Sequence, residues 1–405
     1  MKTLLSYKIF IPVLIIGAIG FIIRCDKLEE LITEAVDSVC PDSVFSKRID
    51  NQLIIDFEQK VGVEQKHLYY DSLKIFADAK SITVRDCNCD ENLVLVEVET
   101  ETPLDMEGWK RRGNASLSNE GDAYYNFTTK LQDIGKPYSS TYRNQPEVGD
   151  IDIVVAVMDG GISADIFPGT LSQNYDFTEG GTLYTPVDIH PHGTLVSMII
   201  MKSIPDAVVS KVKLMDLRIF DKDGNGTLFD ALCAFSFASQ NRVDIINASW
   251  GFYPTEYEAL EKYIQKAQGE NIVVVASAGN KTMDTDYCLH FPSGFNNNVI
   301  FPAIRNVIGV ASLEKGTDNL ASYSNYGAST IAVATEEGDF NIPEYSGAFG
   351  TSYAAPVVTS MAVQLEDMFP SDPYNKIIDC ILNSTTPVSG LKIINGKLNE
   401  TITCP

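Results

Sequence analysis

From residue 150 onward the chain alternates short apolar runs with longer amphipathic stretches, and few folds accept that pattern. Ile153-Val154-Val155-Ala156-Val157-Met158 is apolar at every position, and 212–219, Asp244-Ile245-Ile246-Asn247-Ala248-Ser249, 272–276 and 307–311 are candidates of the same kind. Helical spacing fills the intervals at 193–201, 228–240 and 256–268. A strand with one wet face alternates apolar and polar residues; a run that is apolar throughout is covered on both faces. Such strands separated by helices predict an α/β fold with a mainly parallel central sheet and helices on both faces. In sheets of that type the functional groups collect at the carboxyl ends of the strands.

The 405 residues leave room for two or three domains. With 44% hydrophobic and 21% charged residues the bulk of the chain is globular. The formal charge of −23 argues against a nucleic-acid partner, which calls for a basic face. Lys2 and Lys8 precede an apolar run at 9–23, shorter than the roughly 20 residues of a membrane span. Residues 1–24 therefore read as an export signal or anchor. Cys25 follows directly and resembles the lipid-attachment box of bacterial lipoproteins, although Arg24 stands where a small residue is usual. Attachment to a membrane is expected only through that signal or a lipid on Cys25, and the protein is expected to be secreted or held at the cell envelope. Residues 25–145 form an N-terminal extension, a propeptide or accessory domain, with a strand at 93–98, an early helix at 27–36, a loop-like span at 135–149, and no motif that carries chemistry. The eight cysteines suit an oxidising space. Cys380 and Cys404 are placed to staple the tail, but the connectivity as a whole is not deducible from spacing. Cys87-Asn88-Cys89 has no CxxC spacing and no nearby histidine, so it reads as a disulfide half or a core thiol, not a zinc site.

Three residues in the 146–405 region attract attention, and each has an ordinary explanation when taken singly. Ser352, in Gly350-Thr351-Ser352-Tyr353-Ala354-Ala355-Pro356, opens a helical run and is explained as a cap. Pro356 is expected to be tolerated because the N–H groups of a first turn lack helical partners. His192, one of only four histidines, precedes Gly193-Thr194 and is explained as a loop residue. Asp159 ends the first apolar strand beside Gly160-Gly161, where turn chemistry accounts for it. Their chain order is acid, imidazole, alcohol, one of the three orders in which a nucleophilic triad is known to occur.

Together these segments resemble the subtilisin-like serine proteases, or subtilases. The matching motifs are Val155-Ala156-Val157-Met158-Asp159-Gly160-Gly161-Ile162, His192-Gly193-Thr194, and the stretch from Gly350 to Pro356. Two further segments fit: Ile245-Ile246-Asn247-Ala248-Ser249-Trp250-Gly251 resembles the strand beside the specificity pocket, and Val273-Val274-Val275-Ala276-Ser277-Ala278-Gly279-Asn280 resembles the oxyanion segment. The resemblance covers about 146–400 and implies an exported serine endopeptidase acting on polypeptides. Ser352 would be the nucleophile, His192 the base, Asp159 its orienting partner and Asn280 an oxyanion donor. A donor of that kind is worth about 10²–10³ in turnover, a magnitude that itself comes from a subtilisin asparagine. Gly224, Asn225 and Gly226 would pair with an extended peptide by strand addition. Ser249, Trp250, Gly251, Ala276, Ser277, Ala278 and Gly279 would line the pocket for the residue before the cut. No charge stands on those segments, so an apolar or broad preference is expected. No cofactor is required; structural calcium is common in the family, but the sequence offers no ligand set for it. Asp221-Lys222-Asp223-Gly224-Asn225-Gly226 opens like an EF-hand loop and fails at Leu232, where a glutamate is needed.

The sequence departs from the family pattern at Gly160, usually Ser or Thr, at Leu195, often His, and at Tyr353, usually Met. The acidic, loop-like stretch 334–345 also departs from it. None of these removes a catalytic group. Two other readings remain open: a non-catalytic surface or binding protein on the same fold, and a metal-dependent hydrolase using His190 and His192. Asn247 heads a glycosylation sequon but falls in a strand expected to be buried.

Overall fold

The computed structural model describes residues 40–58, 61–117, 120–131, 153–167, 169–184, 190–338 and 347–405. The proposed signal, Cys25, the early helix and the 135–149 span lie outside these residues.

The N-terminal extension is a folded unit. Its elements run β1 (Arg48–Phe57), α1 (Val63–Phe76), β2 (Ser81–Asp86), β3 (Leu93–Glu99), α2 (Met106–Leu117) and β4 (Gly121–Lys130). The sheet order is β2-β3-β1-β4, antiparallel throughout, which is the split βαβ arrangement. Helix α1 buries Tyr69, Tyr70 and Leu73, and α2 buries Trp109, whose indole N–H donates to Leu73 O at 3.0 Å.

The second unit holds a ten-stranded sheet. Its central strands are β5 (Ile153–Asp159), β8 (Val212–Arg218), β10 (Ile245–Ala248), β11 (Val273–Ser277), β12 (Val307–Leu313) and β13 (Val333–Glu336). Strands β6 (Leu171–Asp176) and β15 (Gly396–Leu398) extend the parallel array, while the short β7 (Thr182–Leu183) and β14 (Thr385–Thr386) close its edges antiparallel. The order across the sheet is β14-β15-β13-β12-β11-β10-β5-β8-β6-β7, so β5 stands where the connections diverge to either side. The α/β expectation is met, and each apolar run lies within one or two residues of its strand. One stretch differs: residues 334–336, read as loop, belong to β13, because Val333 and Ala334 are buried against β12 and β15.

The apolar runs serve two cores. Val155 and Val157 face one side with Ile245, Val273 and Val275, beneath α3 (His192–Ser203) and α7 (Thr351–Met368). Ala156 and Met158 face the other with Ile246, Val274 and Ala276, beneath α5 (Leu228–Gln240) and α6 (Glu258–Gly269). The short α4 (Asp206–Val209) precedes β8, and α8 (Tyr374–Asn383) follows α7. The second core does not stop at α5 and α6. It continues into Leu53, Ile55, Val94 and Phe127 of the N-terminal sheet. Polar contacts cross the same boundary: Arg85 to Asp230 at 2.8 Å, Lys262 to Asp56 at 2.8 Å and Ser236 Oγ to Asp90 Oδ2 at 2.7 Å.

Two disulfides also cross it. Cys40–Cys288 and Cys87–Cys233 join residues 248 and 146 positions apart, with Cα–Cα distances of 5.3 and 5.5 Å. Cys380–Cys404 staples the tail as expected. Both readings of the Cys87-Asn88-Cys89 pair are realised, since Cys87 is bonded and Cys89 is a half-buried thiol. A single cut between residues 132 and 152, introduced through an inserted site for a specific protease, should therefore leave one band on a denaturing gel without reductant and two bands with dithiothreitol. Separation without reductant would refute the interdomain bonds.

Candidate active site

Asp159 is the last residue of β5 and His192 the first of α3. Both carboxylate oxygens of Asp159 lie 2.9 Å from His192 Nδ1, and both side chains are buried. A carboxylate only accepts, so Nδ1 carries the proton and Nε2 is left to accept one. Gly160 N–H donates to Asp159 Oδ1 at 2.7 Å. Gly193 is required by proximity: a Cβ there would stand 2.9 Å from Asp159 Cβ.

Ser352 is the second residue of α7, behind Gly350 at φ +149°. Its hydroxyl donates to Ser249 O at 2.8 Å, and Ser249 Oγ donates back to Ser352 O at 2.8 Å. The reason lies in Pro356. The helix starts at Thr351, so Pro356 sits beyond the orphan N–H groups, contrary to the expectation above. Its missing N–H would have bonded the carbonyl four residues back, which is Ser352 O. Ser249 fills that vacancy. Ser249 is itself held by Asn247 Nδ2 at 2.9 Å, and Asn247 Oδ1 accepts from Thr359 Oγ1 at 2.8 Å. Asn247 is fully buried, in keeping with its expected place in a covered strand.

The ring of His192 stands 5.5 Å from that of Tyr353, which brings the imidazole beside the start of α7. Asn280 is fixed there too. Its Oδ1 accepts from Thr351 N–H at 2.9 Å and Thr351 Oγ1 at 3.0 Å. The amide nitrogen is thereby turned toward Gly350, where a Cβ would approach it to 2.9 Å. All four proposed catalytic residues are thus gathered around the carboxyl ends of β5, β10 and β11 and the start of α7.

The edge segment 224–226 already carries a strand. β9 (Asn225–Thr227) pairs antiparallel with β4, placing Thr128 opposite Thr227 and Lys130 opposite Asn225. Leu131 N–H donates to Gly224 O at 2.8 Å, and Thr129 Oγ1 donates to Gly251 O at 3.0 Å. The Asp221 carboxylate is spent inside its own turn, accepting from Asp223 N–H and Asn225 N–H at 2.8 and 2.9 Å. Trp250 is buried against Phe252 and Phe220, and Ala276, Ser277 and Ala278 are buried at the end of β11. Among the described residues no group of three or more His, Cys, Asp or Glu is arranged to hold a metal ion. His190 and His192 have ring centroids 6.3 Å apart, and His192 Nδ1 is committed to Asp159.

Several contributors escaped sequence reasoning. Asp216, fully buried on β8, accepts from Ile162 N–H at 2.9 Å and from the Tyr184 hydroxyl. Burial pushes its carboxyl up to about 7. Arg218 lies over the Tyr184 ring at 3.9 Å and pairs with Asp176 at 2.6 Å. Glu337 accepts from Gly350 N–H at 2.6 Å. His290 is buried between the pocket segments, and desolvation lowers it to about 3, so it is neutral. Gly160 also finds its explanation: a Cβ there would stand 2.8 Å from His190 Cβ.

Comparison with known proteins agrees with this geometry. Residues 150–398 match the model of the subtilase family. Among curated relatives, a thermophilic serine proteinase of Bacillus sp. (strain AK1) is 30% identical over 52% of this chain and 51% of its own length. Subtilisin DY of Bacillus licheniformis is 28% identical over 61% of this chain and 88% of its own length. The chain spans about half or less of the length of the first relatives it matches. Two solved structures share the fold: fervidolysin from Fervidobacterium pennivorans, with TM-score 0.63 and 17% identity over 88% of this chain and 62% of its own, and an epidermin leader peptide processing serine protease from Staphylococcus aureus, with TM-score 0.61 and 18% identity over 87% and 98%. The acid–imidazole pair at the end of β5 stands beside the helix start that carries Ser352. The chain belongs to the subtilase family of serine proteases.

Two outcomes follow from the site's construction. Ser249→Ala removes the donor to the carbonyl of the half-buried Ser352 and should cost about 0.5–1.5 kcal/mol in chemical denaturation. In a Pro356→Ala background the restored N–H supplies the donor, so the same change should cost markedly less; equal costs in both backgrounds would count against the proposed compensation. For Asp216 the folded pKa, about 7, lies above the 3.8 of an ordinary aspartate. The folded state therefore holds a proton that the unfolded chain loses, and this group's contribution to stability declines as pH rises from about 4 to about 7. Asp216→Asn should flatten that part of the melting-temperature profile, and an unchanged slope would refute the assignment.

Proposed function

We propose that the protein is an exported serine endopeptidase. The observation that carries the reading is the paired contact of both Asp159 oxygens with His192 Nδ1 beside the start of α7. In the reaction the Ser352 hydroxyl gives up its bond to Ser249 O and donates to His192 Nε2. The serine oxygen then attacks the scissile carbonyl carbon as its proton passes to Nε2. Asn280 Nδ2 and the Ser352 N–H receive the developing oxyanion. Nε2 returns the proton to the leaving amine, and water repeats the cycle on the acyl-enzyme. Asp159 keeps the imidazole in the required tautomer.

The substrate edge is Gly224-Asn225-Gly226, supported by its pairing with β4. Residues 40–131 then act as a cover on that edge, and the two disulfides keep the cover attached after the connection is cut. The polypeptide substrate, the export route and a lipid on Cys25 belong to this same proposal. Calcium enters only as a structural ion, with no role in the chemical step. No helix among the described residues is long and apolar enough to cross a membrane.

Fluorophosphonate labelling tests the central claim. A probe adduct on Ser352, abolished in Ser352→Ala, is expected in the full-length protein, because the probe is small and the cover lies on the substrate edge and not on the serine. A binding protein on the same fold leaves Ser352 unmodified under those conditions, and a metal hydrolase loses activity to chelators while ignoring the probe.

A further inference from the structure

His290 lies outside every motif that identifies the family, yet two glycines of the proposed pocket walls face its ring. A Cβ on Gly251 would stand 2.2 Å from His290 Cε1 and 2.4 Å from Nε2. A Cβ on Gly279 would stand 3.0 Å from Nε2 and 3.1 Å from Cδ2. The walls have no side chain at these points, and the imidazole occupies the space they leave. The ring is fixed from two sides. His290 Nδ1 and Ser293 Oγ lie 2.9 Å apart. Tyr253 packs edge-on with a centroid distance of 4.8 Å. Asn325 bonds Tyr253 Oη at 2.6 Å and Ala278 O at 2.7 Å, tying this packing to the opposite wall. Phe252 and Phe291 exchange backbone hydrogen bonds at 2.9 and 3.0 Å, which holds the segment carrying His290 against the segment carrying Gly251.

We infer that His290 is a specificity-determining residue that fills the slot between Gly251 and Gly279 and restricts the substrate residue before the cut to a small side chain, glycine, alanine or serine. The inference rests on the protease reading above and narrows its apolar or broad preference. The argument is one of volume. A buried, close-packed imidazole cannot share its space with an aromatic or leucine side chain, and displacing it would break its packing with Tyr253 and its polar contact with Ser293. An uncharged ring on an uncharged floor also offers nothing to an arginine or lysine side chain.

The test uses two acetylated amino-acid boronic acids, one with the alanine side chain and one with that of phenylalanine. They engage the nucleophile and the slot without needing the substrate edge. Each competes with fluorophosphonate labelling of Ser352 in the full-length protein. The alanine analogue should protect at a concentration at least about tenfold lower than the phenylalanine analogue. His290→Gly should narrow or reverse that order by opening the slot, and His290→Asn serves where the glycine variant does not fold. The wild-type order alone decides the matter if neither variant is stable: equal or better protection by the phenylalanine analogue overturns the assignment while leaving the protease reading intact. A complete lack of labelling at Ser352 overturns the protease reading and this inference with it.

Discussion

The site depends on starting a long helix in the interior of the molecule. Helix α7 begins at Thr351 against the carboxyl ends of β10 and β11, with Thr351 itself fully buried. A buried helix start leaves N–H groups that need partners, and Pro356 adds an unpaired carbonyl one turn in. Three of these groups are met by residues of the neighbouring strands and loops. Asn280 takes the Thr351 N–H, Glu337 takes the Gly350 N–H, and Ser249 supplies the Ser352 carbonyl. The hydrogen bonds that make the helix start tolerable are the same ones that fix the orientation of Ser352 and Asn280. Structural necessity and the positioning of the proposed catalytic residues therefore share one set of contacts.

The same economy governs the boundary between the two units. Strands buried on both faces need helices on both, and α5 and α6 supply the second layer. Their outer sides are themselves apolar, with Phe229, Leu232 and Phe235 fully buried or nearly so. The N-terminal sheet covers them, which makes a single core of what the sequence presents as two regions. Once that sheet is seated, β4 is carried to the exposed edge at β9, and the edge hydrogen bonds of one are met by the other. The position of β4 on the 225–227 edge is thus a consequence of core packing as well as of strand pairing.

What the sequence disclosed follows from how strongly each element is buried. The runs 153–158 and 272–276 were legible because both of their faces are covered and no polar residue interrupts them. Asp159, His192, Ser352 and Asn280 stand out as candidates because the family resemblance rests on fixed residue types in short motifs. The N-terminal unit was legible only at 93–98. β1 opens with Arg48-Ile49-Asp50-Asn51-Gln52, where exposed and half-buried residues weaken the period, and its apolar half gains meaning only from β3 and β4 on either side. The bonds of Cys40 to Cys288 and of Cys87 to Cys233 left no trace in spacing, since a fold and not a distance along the chain brings those residues together. Pro356 was assigned to the first turn because the helix boundary was unknown, and a shift of a few residues reverses the argument about its missing N–H.

His190 and His290 show how departures from a family pattern can be read as coupled volumes. Gly160 stands where a hydroxyl-bearing residue is usual, and the space its side chain would need is filled by His190. Gly251 and Gly279 present bare Cα atoms to one another's side of the pocket, and His290 takes the volume between them. In each case an imidazole that carries no motif occupies room that a glycine leaves. A glycine substitution beside an active site is therefore uninformative until the residue that fills its vacancy is found. Here the vacancies adjoin the acid–imidazole pair on one side and the proposed specificity slot on the other, so these exchanges alter the shape of the candidate site without removing Asp159, His192 or Ser352.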